Sequence, residues 1–259
     1  MNSVIFNKIS IMAKTRLAHL DTLPPKKTQK KKIIAETEKI IEELDELQNQ
    51  LYAQSKHAVL VVIQGMDAAG KDGAIRHVFG KLNPQGVQVT SFKEPTALEL
   101  SHDFLWRIHQ HTPAKGMIHI FNRSHYEDVL VTRVHKMINN KLAYKRMDAI
   151  NDFEHLLEEH NNTHILKFYL HISHGEQLKR LDERIKDPKK QWKYNEKDFE
   201  ESKLWVEYME VYEDCMNHCN KIPWIITPSD AHWYKEYMIA STLHQLLKDL
   251  KMQYPGLKK

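Results

Sequence analysis

The residues best suited to chemistry lie in one short run, Gly65-Met66-Asp67-Ala68-Ala69-Gly70-Lys71-Asp72-Gly73. Its spacing, G-x-x-x-x-G-K, is that of a phosphate-binding loop when a strand precedes it and a helix follows. Small residues at Ala68, Ala69 and Gly70 leave backbone N–H groups free to face phosphate oxygens. The following helix adds a partial positive charge at its N-terminus, and Lys71 adds a full one. The next position departs from the pattern: Asp72 stands where a Ser or Thr hydroxyl would bind Mg²⁺. With Asp67 this puts two carboxylates beside a phosphate chain, which they would repel unless a cation lay between them. The loop therefore argues for divalent metal held by carboxylate, with Asp67 the better-placed ligand. Asp72 reads equally well as a ligand or as an exposed helix-start acid.

A second group of polar residues follows an apolar stretch: Phe121-Asn122-Arg123-Ser124-His125-Tyr126-Glu127-Asp128, running on to Arg133 and Lys136. Asn122 occupies the expected strand end, and Arg123 is placed to reach a phosphoryl group from the strand tip. Glu127 and Asp128 come one turn into the next helix. Two readings stand for them, metal-holding acids or helix-start acids favourable with the dipole. Arg133 and Lys136 lie about two and three turns further on, where a closing lid could carry them over the phosphates. His125 is either a phosphate contact or a structural residue.

Elements that could position these groups alternate along the chain. Strands are expected at Ala58–Gln64, Val87–Phe92, Met117–Phe121, Ile165–Ile172 and Ile222–Thr227. Ala58–Gln64 is almost wholly apolar, as a strand buried on both faces should be. Helical patterns fill 71–82, 97–111, 124–160 with a break near Asn139-Asn140, 175–186, 196–219 and 231–251. Such alternation predicts an α/β fold, a parallel five-stranded sheet with helices on both faces. Ahead of it, residues 1–25 look irregular. Lys26, Lys27, Lys30, Lys31 and Lys32 then form a basic run, either a solvated helix start or a patch that attracts polyanions. A long helix follows, with Ile33, Ile40 and Leu47 repeating every seven and Leu44 and Leu51 on the other heptad position. Its apolar seam should pack on the body or on another subunit. The division expected is a segment 1–56 docked on a domain 57–259, with a lid at about 124–160.

Composition narrows the function classes. The chain has 259 residues, 41% hydrophobic and 28% charged, which excludes a disordered chain. No apolar run is long enough to span a membrane. Cys215 and Cys219 are the only cysteines, too few for a disulfide scaffold and suited to a reducing cytoplasm. They share a helix face with apolar residues and are expected in the core. The first residues carry no small-residue cleavage site, so no secretory signal is read there. Of the 17 histidines, His109, His111, His171, His174 and His218 invite a metal reading, yet none belongs to a full four-ligand pattern.

Taken together, GMDAAGKDGAIRHV, NPQGVQVTSFKEPT, HDFLWRIHQHTPAKG, FNRSHYEDVLVTRVH and LDERIKDPKKQWKYNEKDF resemble a family-2 polyphosphate kinase, in family order from about residue 60 to 200. The resemblance implies a three-layer phosphate-loop kinase fold and Mg²⁺, with Mn²⁺ as a substitute. It implies phosphoryl transfer between inorganic polyphosphate and adenine nucleotides, with guanine nucleotides as further candidates. It places Asp67, Lys71, Arg123, Asp128 and Arg133 in catalysis, Asp67 and Asp128 on the metal, and Lys93, Asn122, Glu127 and Arg133 on the nucleotide. Phosphate contacts would come from Ala68, Ala69, Gly70, Lys71, Asp72 and Arg123, and from a basic segment containing Arg180, Arg184, Lys189, Lys190 and Lys193. That segment can also be read directly: six cations between Arg180 and Lys193 suit a polyanion, or form a solvated face. FNRSHYED resembles members that phosphorylate both AMP and ADP, whereas diphosphate-preferring members tend to read FDRSWYNR. A homo-oligomer, dimer or tetramer, is expected, with no membrane or nucleic-acid partner. The alternatives are an ATP-dependent nucleoside-monophosphate kinase and a non-catalytic polyanion-binding protein.

Overall fold

The computed structural model describes residues 14–257. The reading of Met1–Ala13 as irregular and free of a secretory signal lies outside the described residues. Five strands form one parallel sheet: β1 Ala58–Gln64, β2 Val87–Ser91, β3 Ile118–Asn122, β4 Thr163–His171 and β5 Trp224–Pro228, in the order β2-β3-β1-β4-β5. Every residue of β1 is buried, because β3 and β4 flank it and helices cover both faces. The register sets Ile63 of β1 against Asn122 of β3, and Gln64 against Tyr169 of β4. The ends of three strands therefore meet at one rim, where open α/β sheets bind their ligands.

The helices are α1 Lys30–Gln54, α2 Lys71–Phe79, α3 Ala97–Leu100, α4 Trp106–His109, α5 Glu127–Val134, α6 Asn140–Asn161, α7 His174–Lys186, α8 Glu196–Lys203, α9 Trp205–His218 and α10 His232–Asp249. One layer joins α1, α2 and α10, and the other joins α5, α6 and α9. The seam of α1 packs on α10 of the same chain, burying Ile40, Ile41, Leu44 and Leu51. The two helices run parallel: Tyr237 donates to Glu36 at 3.1 Å, and His244 meets Glu43 two turns later at 2.7 Å. Thr37, the polar interruption of the seam, is buried and returns its hydroxyl to the Ile33 carbonyl at 2.7 Å. Ahead of α1, Thr22 ties to Asp230, and the Leu17 amide to Glu213.

Two expected helices are broken. The pattern over 97–111 yields only α3 and α4, because Ser101 bonds back to Leu98 at 2.7 Å and Asp103 captures the Leu105 amide at 2.9 Å. Such local side-chain bonds compete with helix propagation. The pattern over 196–219 divides at Leu204. The segment expected as a lid contains α5 and α6. Over most of its length α6 is a core helix, burying Ala143, Met147, Ile150, Phe153 and Leu157. A further segment, 187–203, also reaches the end of the phosphate loop, where Lys193 meets Asp72.

Cys215 and Cys219 are free and buried, as expected of core residues. No described helix is long and apolar enough to cross a membrane.

Candidate active site at the phosphate loop

The loop joins the end of β1 to the start of α2 through strained backbone. Ala68 is left-handed at φ +61°, and Gly70 at φ +93° caps the helix. A Cβ on Gly70 would lie 2.1 Å from Lys235 Nζ, the tip of a side chain that would have to shift, and the left-handed φ is what requires glycine here. Lys71 is buried and its ammonium donates to the carbonyls of Gly65 at 2.8 Å and Met66 at 3.2 Å. Burial and the nearby Arg123 lower its pKa from the usual lysine value, against the pull of Asp67 and Glu127. A bound phosphate would favour the charged form and oppose this lowering.

Arg123 faces the loop from the tip of β3. It also has left-handed backbone, φ +62°, which is costly for a residue with a side chain and is seen mostly at functional sites. Its guanidinium donates to Asp67 at 2.6 Å and lies 3.7 Å from Glu127. Burial would raise the Asp67 carboxyl, but Lys71 and Arg123 outweigh it and hold it below the usual range. Glu127 moves the other way, raised by burial despite Arg123 and Lys71. Asp67, Arg123 and Glu127 line one cleft together with Glu201, Tyr208 and Tyr212 of the opposite wall. Asn122 donates to Asp72 at 2.8 Å, and Lys193 meets the other Asp72 oxygen at 3.3 Å.

The sequence model of the family Polyphosphate kinase 2 (PPK2) matches residues 27–255. The AMP/ADP-polyphosphate phosphotransferase of Meiothermus ruber is 48% identical over 214 residues, 82% of this chain and 80% of that protein. The ADP-polyphosphate phosphotransferase of Rhodopseudomonas palustris is 44% identical over 229 residues, 83% of this chain and 79% of that protein. The crystal structure of polyphosphate kinase 2 from Arthrobacter aurescens superposes with a TM-score of 0.93 at 38% identity, covering 97% of this chain and 91% of that one. The chain belongs to the polyphosphate kinase 2 family. It is therefore an enzyme, a polyphosphate-dependent nucleotide phosphotransferase, and the phosphate-loop reading of 65–73 acquires its substrate class.

In this polyphosphate kinase 2, several expected site residues stand elsewhere than their motifs suggested. Asp128, read as a second metal ligand beside Asp67, pairs instead with buried Arg107 at 3.2 Å. Successive helix residues point about 100° apart, and it is Glu127 that enters the cleft with Asp67. Arg133 does not line the cleft. Its guanidinium is held by Asp214 of α9 at 2.7 Å and by Asn140 at 3.2 Å, against the Tyr144 ring. Arg180, read as a polyphosphate contact, is buried with its donors engaged by protein: Glu176, the carbonyls of Ala68 and Ala69, and those of Ser229 and Asp230. It clamps the outside of the phosphate loop. Arg184 pairs with Asp198, and Lys190 with Glu183 at 2.9 Å, while Lys189 is exposed. Lys93 is exposed beyond β2, and its carbonyl accepts from Arg107 at 2.9 Å. His125 is fully buried against Glu154 at 3.2 Å, which settles its role as structural.

Three residues carried no sequence signal: at the loop, Lys235, which donates to the Ala69 carbonyl at 3.2 Å, and Gln177, which donates to that of Asp67 at 3.1 Å, and, away from it, Arg107, which holds Asp128 at 3.2 Å. Each meets its partner across a large sequence separation, so no spacing rule could have found it.

The donor set fits a hard divalent cation. Asp67 and Glu127 are the carboxylates that would hold such an ion; in this structure Arg123 pairs with the first at 2.6 Å and lies 3.7 Å from the second. Among the described residues no three acids, histidines or cysteines gather into a metal cage. Two carboxylates beside phosphate oxygens suit Mg²⁺, which keeps several waters and is bound through few protein ligands. Asp72 is two-thirds exposed and turned to Asn122 and Lys193. Asp67→Asn is therefore expected to lower kcat about 10²–10³-fold, as loss of a charge-placing group at the reacting centre does. Asp72→Asn should change it less than about tenfold. Steady-state rates at saturating Mg²⁺ check the order, and equal losses would mean that the loop acids act interchangeably.

Proposed function

We propose that this enzyme moves phosphoryl groups reversibly between inorganic polyphosphate and adenine nucleotides, taking AMP to ADP and ADP to ATP, with Mg²⁺ as the working cation and Mn²⁺ as a substitute. The observation that carries the reading is the convergence of Asp67, Arg123 and Glu127 on one cleft at the mouth of the loop, with the Lys71 ammonium bonded to the carbonyls of Gly65 and Met66, which line that cleft. Transfer between phosphates needs positioning and charge neutralisation more than covalent help from the protein. The loop amides and Lys71 hold the donor end. Arg123 stabilises charge on the transferring group. A Mg²⁺ ion held by Asp67, with Glu127 beside it, would screen the mutual repulsion of donor and acceptor phosphates. The acceptor oxygen is already ionised near neutral pH, so no general base is required.

Acceptor choice rests on Asn122 and Glu127. The Asn122 amide is a donor at the loop's edge, where an ionised Asp would repel an acceptor phosphate. Glu127 borders the same cleft and can accept from a ribose hydroxyl or help hold metal when the acceptor is short one phosphate. With polyphosphate as sole donor, purified enzyme is expected to form ADP from AMP and then ATP from ADP, read by chromatography. Glu127→Ala should lower kcat/KM for AMP by about tenfold more than for ADP, the size of one lost charged hydrogen bond. Enzyme that uses ADP and leaves AMP untouched would overturn the acceptor assignment and spare the donor. Guanine acceptors and a dimeric or tetrameric assembly belong to the same proposal, tested by GDP assay and light scattering.

A further inference from the structure

Beneath the phosphate loop lies a second lysine that the proposed chemistry does not use. Lys235 sits one turn into α10 with no exposed surface. Its Nζ donates to the Ala69 carbonyl at 3.2 Å and lies 2.9 Å from His232 Nδ1. It fills the niche left by the missing side chain of Gly70, the residue that caps α2. Among the described residues no carboxylate bonds to it. The charged groups around it come from four elements. On α10 they are His232 and Glu236, and Glu236 is shared with His77 of α2 at 3.8 Å, near Arg76. On α7 they are Arg180 and its partner Glu176. In the loop it is Lys71. Three cations, Lys71, Arg180 and Lys235, thus converge on one loop, and among the described residues Arg180 is the only one of the three with a bonded acid.

We propose that Lys235 is a positioning residue for phosphate binding, which holds the loop by the Ala69 carbonyl and takes up a proton from solvent when a phosphate chain occupies the loop. The inference rests on the reading of the loop as the phosphate-chain site. Burial, with repulsion from Arg180 and Lys71, pushes the free Lys235 down to about 7, so near neutral pH the empty loop holds it partly uncharged. His232 is itself pushed down to about 4, by burial and by Lys235, so its imidazole is neutral. A neutral imidazole serves both states: Nδ1 accepts from the ammonium, or, as the other tautomer, donates to the amine. A bound polyanion favours the charged form and raises the lysine pKa. Protons are then absorbed on binding between the free and bound values, and affinity falls as pH rises above 7.

The test is calorimetry with inorganic tripolyphosphate without metal, at about pH 8, in two buffers of different ionisation enthalpy. Protonation of tripolyphosphate itself is common to every arm, so the readout is the difference between proteins. Wild type should absorb about half a proton or more beyond Lys235→Arg, whose guanidinium stays charged throughout. From about pH 7 to 9 the affinity of wild type relative to Lys235→Arg should fall by up to about tenfold per pH unit. Lys235→Met, if folded, should bind weakly at every pH without the extra uptake. Equal proton uptake by wild type and Lys235→Arg, with both binding, overturns the role of Lys235 and leaves the loop assignment standing. A folded wild type that does not bind tripolyphosphate overturns the loop assignment and this proposal with it.

Discussion

Lys71→Ala is expected to lower kcat/KM with polyphosphate by about 10²–10³-fold, the range for removing one preorganised charge from a transferring group. The argument is geometric and electrostatic together. Lys71 is the one lysine within the loop, and its ammonium is oriented by the Gly65 and Met66 carbonyls rather than by an acid. It therefore comes to the phosphate with its charge unspent. Burial already destabilises that charge in the empty site. Stability should therefore change by less than about 1 kcal/mol, because the variant loses a strained charge along with two hydrogen bonds. Lys71→Met, which keeps most of the stem, should match Lys71→Ala in rate, separating lost charge from lost packing. Rates from single-turnover transfer, set beside urea unfolding midpoints, check both halves. A folded variant with near-parental turnover would remove the loop from the mechanism.

The phosphate loop was legible because everything that defines it is local. An apolar strand, a bare turn and a lysine at fixed spacing follow one another in the chain, and β1 and α2 start where that pattern says. The sheet was legible for a similar reason, since apolar runs buried on both faces announce parallel strands. Helix phase was not. Whether Glu127 or Asp128 enters the cleft depends on how α5 lies against α9 and the sheet, and neighbouring acids cannot reveal that. Charge runs misled in the same way. From Arg180 to Lys193 the cations read as one polyphosphate surface, yet Arg180 turns inward onto the loop carbonyls while Lys193 reaches outward to Asp72. The sequence did contain one unused signal. Lys167 interrupts the apolar strand ILKFYLHI, and a lysine inside a central strand requires a buried partner.

That partner is Glu154, and removing it should give the largest stability loss in the protein outside its apolar core. Lys167 and Glu154 are 0% and 1% exposed and 2.7 Å apart. The three ammonium protons of Lys167 have three acceptors: Glu154, the Tyr126 hydroxyl at 2.9 Å and the Cys219 carbonyl at 3.0 Å. The other Glu154 oxygen meets the Tyr126 hydroxyl at 2.7 Å and His125 at 3.2 Å. The network thus fastens α6, β4 and the end of α9 to the turn that carries Arg123. Glu154→Leu leaves the ammonium buried without a counter-charge and is expected to cost about 3–5 kcal/mol in urea unfolding. Glu154→Leu with Lys167→Met should recover most of that loss, since replacing both ions by apolar groups is often close to neutral. Recovery stops short because the Tyr126 hydroxyl and the His125 ring lose their Glu154 partner, at about 1–3 kcal/mol per unsatisfied group, whereas the Cys219 carbonyl still accepts from Trp224 Nε1 at 3.1 Å. The pH dependence has a definite sign. Burial would raise Glu154, but Lys167 and His125 outweigh it and hold its pKa below the usual glutamate value. Its contribution is therefore complete above that value and is lost as pH falls through the lowered one. In parental protein this adds to acid lability, and the double variant should lack that share. If Glu154→Leu unfolds within about 1 kcal/mol of the parent, the ammonium is finding water, and Lys167 does not fasten the turn.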